Sequence, residues 1–280
     1  MKILCVIPAR YASTRLPGKP LADIAGKPMI QRVYERARQA RRPDALLVAT
    51  DHQAVFDAVA AFGGEVMLTS PAHPTGTDRL AEVAADRSGY DVIINIQGDE
   101  PLIEASVIDE LAAAFDRDPD LQMATLMTEL EESEYTMPSA VKVVCDLAGY
   151  ALYFSRSLIP YPRTKPAAMN WYKHIGIYAY RRDFLLKYAT LPPTPLEQTE
   201  SLEQLRALDH GYRIKVLKTN HRFVGVDTPE DLAQVNEIYK KLEKSFVLRG
   251  CSSRAGGDGR NDSTEDAEDT RRDTEGEQEF

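Results

Sequence analysis

The chain has 280 residues, 43% of them hydrophobic and 28% charged, a balance that suits a soluble protein with a real core. Its formal net charge of −9 excludes a protein that coats nucleic acid or anionic lipid through bulk charge. No run approaches the ~18 apolar residues of a membrane span, so neither a nucleic-acid nor a membrane partner is expected. Cys5, Cys145 and Cys251 are odd in number and widely spaced, which argues against a disulfide framework or a metal knuckle. The apolar run Ile3–Ile7 is too short for a signal segment, and a cytoplasmic location is expected.

Ile3–Ile7 reads as a strand covered on both faces. A loop punctuated by Pro and Gly follows to about Pro28, after which Met29, Ile30, Val33, Tyr34 and Ala37 fall at helical spacing. Leu46–Ala49 is the next strand; Val55, Val59 and Phe62 mark a helix stopped at Gly63-Gly64. Val66–Leu68 and Val92–Ile94 are further strands with a helix near Asp78–Asp86 between them. Val107–Phe115 reads as helix and Met123–Met127 as extended chain. This alternation predicts an α/β fold with a mostly parallel sheet and helices on both faces.

The second half is less regular. Val141–Val144 and Ala151–Phe154 flank Gly149 as a hairpin, and His174–Tyr180 alternates, with His174 and Tyr178 on one face. Thr194-Pro195-Leu196-Glu197 is a capping box that should open one helix to about Asp209. Arg213–Leu217 reads as a strand, and Thr228-Pro229-Glu230-Asp231 caps a last helix through about Lys244. From Arg249 onward ten acidic residues face five arginines and only Phe280 is large and apolar, so residues 249–280 read as a disordered acidic tail.

Ligands of an open parallel sheet bind beyond the carboxyl ends of its strands. After the first strand, Arg10, Arg15 and Lys19 share a loop with hydroxyls and a glycine, a set that can wrap a triphosphate, although no Walker A loop is present. Asp99, in Asn95-Ile96-Gln97-Gly98-Asp99-Glu100-Pro101, follows an apolar strand and suits a hard cation. Asp227 falls outside the cap formed by Thr228, Pro229 and Asp231, and meeting Asp99 would complete a divalent-metal site. Arg156, His174, Tyr178, Glu203 and Gln204 carry the groups that read an anionic polyol. A solvated basic loop, plain turns and a solvated helix charge remain the bland readings of each segment alone.

Taken together, PARYASTRLPGKPL (8–21), GTDRLAEV (76–83), NIQGDEPL (95–102), ALYFSRSLIP (151–160), HIGIYAYR (174–181), LEQTESLEQLR (196–206) and GVDTPEDL (225–232) resemble the 3-deoxy-manno-octulosonate (Kdo) cytidylyltransferase, or CMP-Kdo synthetase, family. Thr75 stands where that family commonly has serine. The resemblance implies a Rossmann-like nucleotide-diphospho-sugar transferase (GT-A-like) fold. Residues 1–127 and 223–248 would form the nucleotide-binding part, and 128–222 a smaller sugar-binding and dimerisation subdomain.

It also implies that CTP and an acidic eight-carbon sugar react to a CMP-sugar and pyrophosphate, for lipopolysaccharide biosynthesis, in a homodimer. Pro8, Ala9, Arg10, Ser13, Lys19, Ser70, Thr77 and Arg79 would bind nucleotide, with Arg10, Arg15 and Lys19 stabilising the leaving pyrophosphate. Asp99 and Asp227 would hold Mg²⁺. Arg15, Gln97, Arg156, His174, Tyr178, Glu203 and Gln204 would hold the sugar. An 8-amino analogue, a sialic acid, or a metal-dependent glycosyltransferase activity stays open as an alternative.

Overall fold

The computed structural model describes residues 1–12, 16–164, 170–221 and 223–252, with the side chains of 245–252 excepted. In chain order the first half comprises β1 (Ile3–Ala9), a short hairpin of β2 (Asp23–Ile24) and β3 (Lys27–Pro28), α1 (Met29–Ala37), β4 (Ala45–Thr50) and α2 (Gln53–Ala61). Then come β5 (Val66–Leu68), α3 (Gly76–Asp86), β6 (Val92–Asn95), α4 (Ala105–Arg117) and β7 (Met123–Glu129). The second half holds β8 (Lys142–Cys145), β9 (Ala151–Ser155), β10 (Tyr172–Arg181), α5 (Arg182–Tyr188), α6 (Pro195–Glu200), α7 (Gln204–Asp209), β11 (Lys215–Lys218) and α8 (Pro229–Ser252).

The main sheet runs β11-β7-β10-β6-β1-β4-β5, with the β8–β9 hairpin attached to β10. Strands β6, β1, β4 and β5 are parallel, as the βα alternation predicts. Alternating side chains of β1 serve two apolar layers. Cys5 and Ile7 pack with Ile30, Val33 and Val107, whereas Leu4 and Val6 pack with Leu80, Val83 and Leu205. Each buried aliphatic side chain contributes roughly 1.5–3 kcal/mol, so the continuous apolar runs of β1 and β6 are what commit them to the sheet centre. Among the described residues no helix is long and apolar enough to cross a membrane.

Four expectations change. Residues 128–222 are not a body of their own, because Met1–Lys240 form one compact unit. The reason is β10, which inserts antiparallel between β6 and β7 and buries Ile175, Ile177 and Ala179 in the main core. The helix expected from Thr194 to Asp209 is two helices, broken where Ser201 adopts a left-handed φ of 51°. Its opening capping box is present, with Thr194 and Glu197 bonded reciprocally. The last helix runs to Ser252 rather than Lys244, so residues 249–252 of the expected tail are helical. A single glycine, here Gly250, costs a helix only about 1 kcal/mol and does not end it. The rest of that tail, 253–280, lies outside the described residues. The expected strand Arg213–Leu217 is displaced to Lys215–Lys218, in parallel register with β7.

Candidate active site

The site forms where β1 and β6 end side by side. Gly98 lets the loop after β6 pass the end of β1, since a Cβ there would stand 2.9 Å from the Pro8 carbonyl oxygen. The Val226 N–H donates to the Asp99 carbonyl at 2.9 Å, which ties the segment before α8 to this loop. Asp231 then accepts from the backbone N–H groups of Asp227 and Thr228 at 3.0 and 2.9 Å, as an N-terminal cap. Asp99 and Asp227 thus converge, and Lys19 joins them, its Nζ 2.7 Å from Asp99 Oδ2 and 3.0 Å from Asp227 Oδ1. Burial pulls the Lys19 ammonium down, but the two carboxylates outweigh it and hold its pKa above the ordinary value. Beside them, burial and the charges of Asp99 and Asp227 push the Glu100 carboxyl up to about 8.

A cavity of about 410 Å³ lies on the Lys19 side, lined by Pro8, Ala9, Arg10, Lys19, Asp99 and Asp227 among others. The Arg10 guanidinium donates to the His73 carbonyl at 3.0 Å, leaving other N–H groups for an anion. Behind this wall Arg79 is fully buried, donating to Asp51 at 2.8 Å and to the Thr69 hydroxyl. Ser70 donates its backbone N–H to Glu82, which also pairs with His73. Arg79 and Ser70, expected to bind nucleotide, are therefore held by Asp51, Thr69 and Glu82 and are not among the residues lining this cavity. Ser13 and Arg15 lie outside the described residues.

A second cavity, of about 210 Å³, adjoins the first through Pro8, Gly76 and Gln97. Gln97, Tyr178, Glu203 and Gln204, the residues expected to hold sugar, line it together with Thr77, which was expected on the nucleotide side, and with Asn95, Tyr180 and Tyr188, which were not expected. The Gln97 amide donates to the Gly176 carbonyl at 2.7 Å, in the irregular stretch of β10 between Ile175 and Tyr178. Burial pushes the Glu203 carboxyl above its ordinary pKa despite the opposing pull of Thr77 and Arg206.

Residues 4–215 match the profile of a family described as cytidylyltransferase. A 3-deoxy-manno-octulosonate cytidylyltransferase of Geobacter sulfurreducens is 53% identical over 251 residues, covering 86% of this chain and all of the relative. The chain belongs to this family. A solved CMP:2-keto-3-deoxy-manno-octonic acid synthetase in complex with CTP superposes with a TM-score of 0.83 at 48% identity, covering 86% of this chain and 99% of that one. A 4-diphosphocytidyl-2C-methyl-D-erythritol synthase from Anaerococcus prevotii shares the fold alone, with a TM-score of 0.56 at 12% identity, covering 85% of this chain and 96% of that one.

Two residues that family resemblance assigns to sugar sit elsewhere in this cytidylyltransferase. The Arg156 guanidinium does not open onto the cavity. It donates to the carbonyls of Glu200, Pro138 and Ser201 at 2.7, 2.8 and 3.2 Å, two of them at the C-terminal end of α6. His174 stands behind Tyr178, with ring centroids 5.2 Å apart, and its Nε2 lies 3.0 Å from the Thr125 hydroxyl. Thr75, the departure from the usual serine, keeps a complete capping box with Asp78, so the substitution preserves the start of α3. Asp51 and its pairing with Arg79 went unassigned from sequence, where Arg79 is expected to bind nucleotide; an Ala-Thr-Asp at a strand end was the only signal for Asp51.

Proposed function

We propose that this protein activates 3-deoxy-D-manno-octulosonate with CTP, forming CMP-Kdo and pyrophosphate. One observation carries the reading: Asp99, Asp227 and Lys19 converge in the wall of a cation-lined cavity that adjoins a polar one through Pro8, Gly76 and Gln97. That is the place where a nucleoside triphosphate and a second substrate must meet. In the reaction, the anomeric hydroxyl oxygen of the sugar bonds to the α-phosphorus as the bond from that phosphorus to the β-phosphate oxygen breaks. The hydroxyl proton is released, and pyrophosphate leaves with the electron pair. Such a transfer needs mainly positioning and charge neutralisation. Arg10 and Lys19 bind the triphosphate and neutralise the leaving group, while Gln97, Tyr178, Glu203 and Gln204 hold the sugar.

The donor set fits Mg²⁺. Asp99 and Asp227 already share one cation, the Lys19 ammonium. Among the described residues no group of three or more His, Cys, Asp or Glu forms a closed protein cage. Two carboxylates, with phosphate oxygens from the substrate, are the usual protein share of a Mg²⁺ site. When bound, the ion supplies charge neutralisation at the phosphates and lowers the pKa of the attacking hydroxyl.

The reading expects Mg²⁺-dependent pyrophosphate release from CTP that requires Kdo, with Asp99→Asn and Asp227→Asn each losing at least about 10²-fold in turnover. Equal release without sugar acid, or with a neutral hexose, overturns it. Running the 8-amino analogue and a sialic acid alongside ranks the acidic sugars. We assign the reaction to lipopolysaccharide assembly in the cytoplasm and the active form to a homodimer. Exposed Leu152, on the outer strand β9, and Tyr161 support a partner surface; sedimentation as a monomer overturns that assembly.

A further inference from the structure

Asn95 closes β6 and is only 6% exposed. It pairs in register with Val6 on one side and Tyr178 on the other. Alternation along the strand puts its side chain on the same face as Ile93, in the layer that holds Leu4, Val6 and Tyr180. Packing alone would favour another aliphatic residue there. Asn95 instead lines the smaller cavity, and its Oδ1 is buried with no hydrogen-bond partner. Glu203, across the same cavity, also keeps a buried and unpartnered Oε1. Buried polar atoms are normally satisfied, so two open acceptors facing one cavity ask for donors brought by a ligand.

The chemistry of that ligand follows from the lining. Among the described residues around this cavity there is no lysine or arginine, whereas the adjoining one holds Arg10 and Lys19. A carboxylate is an acceptor only, so it could satisfy neither Asn95 Oδ1 nor Glu203 Oε1, and no cation lines this cavity to offset its charge. A hydroxyl both donates and accepts, so it satisfies Asn95 whichever way the amide is turned.

We infer that Asn95 is a specificity-determining residue that reads a hydroxyl of the sugar acid's polyol tail. The tail then lies in the smaller cavity, and the carboxylate and anomeric carbon face the cation-lined mouth. This inference rests on the proposed reaction and adds to it a residue and an orientation.

The test compares wild type with Asn95→Leu, and with Asn95→Ser should the leucine variant fail to fold. The measurements are KM for Kdo, KM for CTP, Kd for CTP alone, and Tm. Loss of one buried hydrogen bond should raise KM for Kdo about tenfold or more. Both CTP constants should stay within about twofold, because a lost hydroxyl contact leaves the nucleotide side untouched. Tm should hold or rise in Asn95→Leu, since an unsatisfied buried oxygen has been removed. A sugar acid shortened at the tail should be discriminated against by wild type and much less by the variant. An unchanged KM for Kdo, or equal rises in both KM values with a fallen Tm, overturns the inference while wild-type turnover leaves the reaction standing. A wild type that releases no pyrophosphate with Kdo overturns both.

Discussion

His174 shows how one side chain can carry a pH dependence of the whole fold. Its ring lies between Phe154 and Tyr178, at centroid distances of 5.1 and 5.2 Å, and burial pushes its pKa down to about 3. The folded protein thus resists a proton that the unfolded chain accepts near pH 6.5. The stability it contributes is complete above 6.5 and is lost as pH falls from there towards 3, at up to ~1.4 kcal/mol per pH unit. His174→Gln should flatten that slope. Urea unfolding of both proteins at pH 7, 6 and 5 measures it, and parallel slopes would show that His174 titrates normally.

The residue scale is also where sequence was least legible. Asp99 and Asp227 could be found because each follows a strand-like run and one is left over once its neighbours are spent on a cap. Arg156 could not be placed in the same way. An arginine after Ala151–Ser155 looks equally ready for a substrate carboxylate and for backbone carbonyls, and only the fold brings Glu200, Ser201 and Pro138 to it. Asn95 was hidden for another reason. At the end of an apolar strand it looks like a turn residue until the opposite cavity wall is known.

Among the elements, α6 and α7 depend on that arginine. The Ser155 hydroxyl and the Arg156 backbone N–H both donate to the Glu200 carboxylate, at 2.6 and 2.9 Å, so the end of β9 holds the break between the helices at several points. Glu203 and Gln204 follow directly after the break. Arg156→Met should destabilise the protein by roughly 0.5–1.5 kcal/mol, the net range for hydrogen bonds whose acceptors water can reach, and raise KM for the sugar with KM for CTP unaltered. Thermal unfolding with steady-state kinetics checks this. A variant of unchanged Tm with a large loss in sugar binding would mean that Arg156 touches the sugar directly. The break itself was not legible, because Ser201 in a left-handed conformation has no sequence signature of the kind that glycine supplies.

Taken as a whole molecule, the parallel part of the sheet was readable from the alternation of apolar strands and periodic helices. The antiparallel member was not, since β10 alternates in a way that marks a strand but says nothing about its neighbours. At this scale the compact unit is Met1–Lys240. The G. sulfurreducens relative is matched over its full length by 86% of this chain. A chain ending at Ser252 should therefore keep kcat/KM within about twofold and Tm within about a degree. A larger fall in either would give residues 253–280 a part in the enzyme.

The insertion of β10 also sets an order of assembly during synthesis. Strands β6 and β7 are complete by residue 129, yet the strand that joins them begins at Tyr172. At ~5–20 residues per second a nascent chain spends some seconds with Ile93, Ile94, Ala124 and Leu126 on two open strand edges. No amount of local folding can close that gap, because the missing hydrogen bonds belong to a segment still inside the ribosome. A chain that stalls or is cut before Tyr172 keeps both edges, and open apolar edges pair with those of other chains. For this enzyme, delay in translation between residues 129 and 181 is the interval in which aggregation competes with folding.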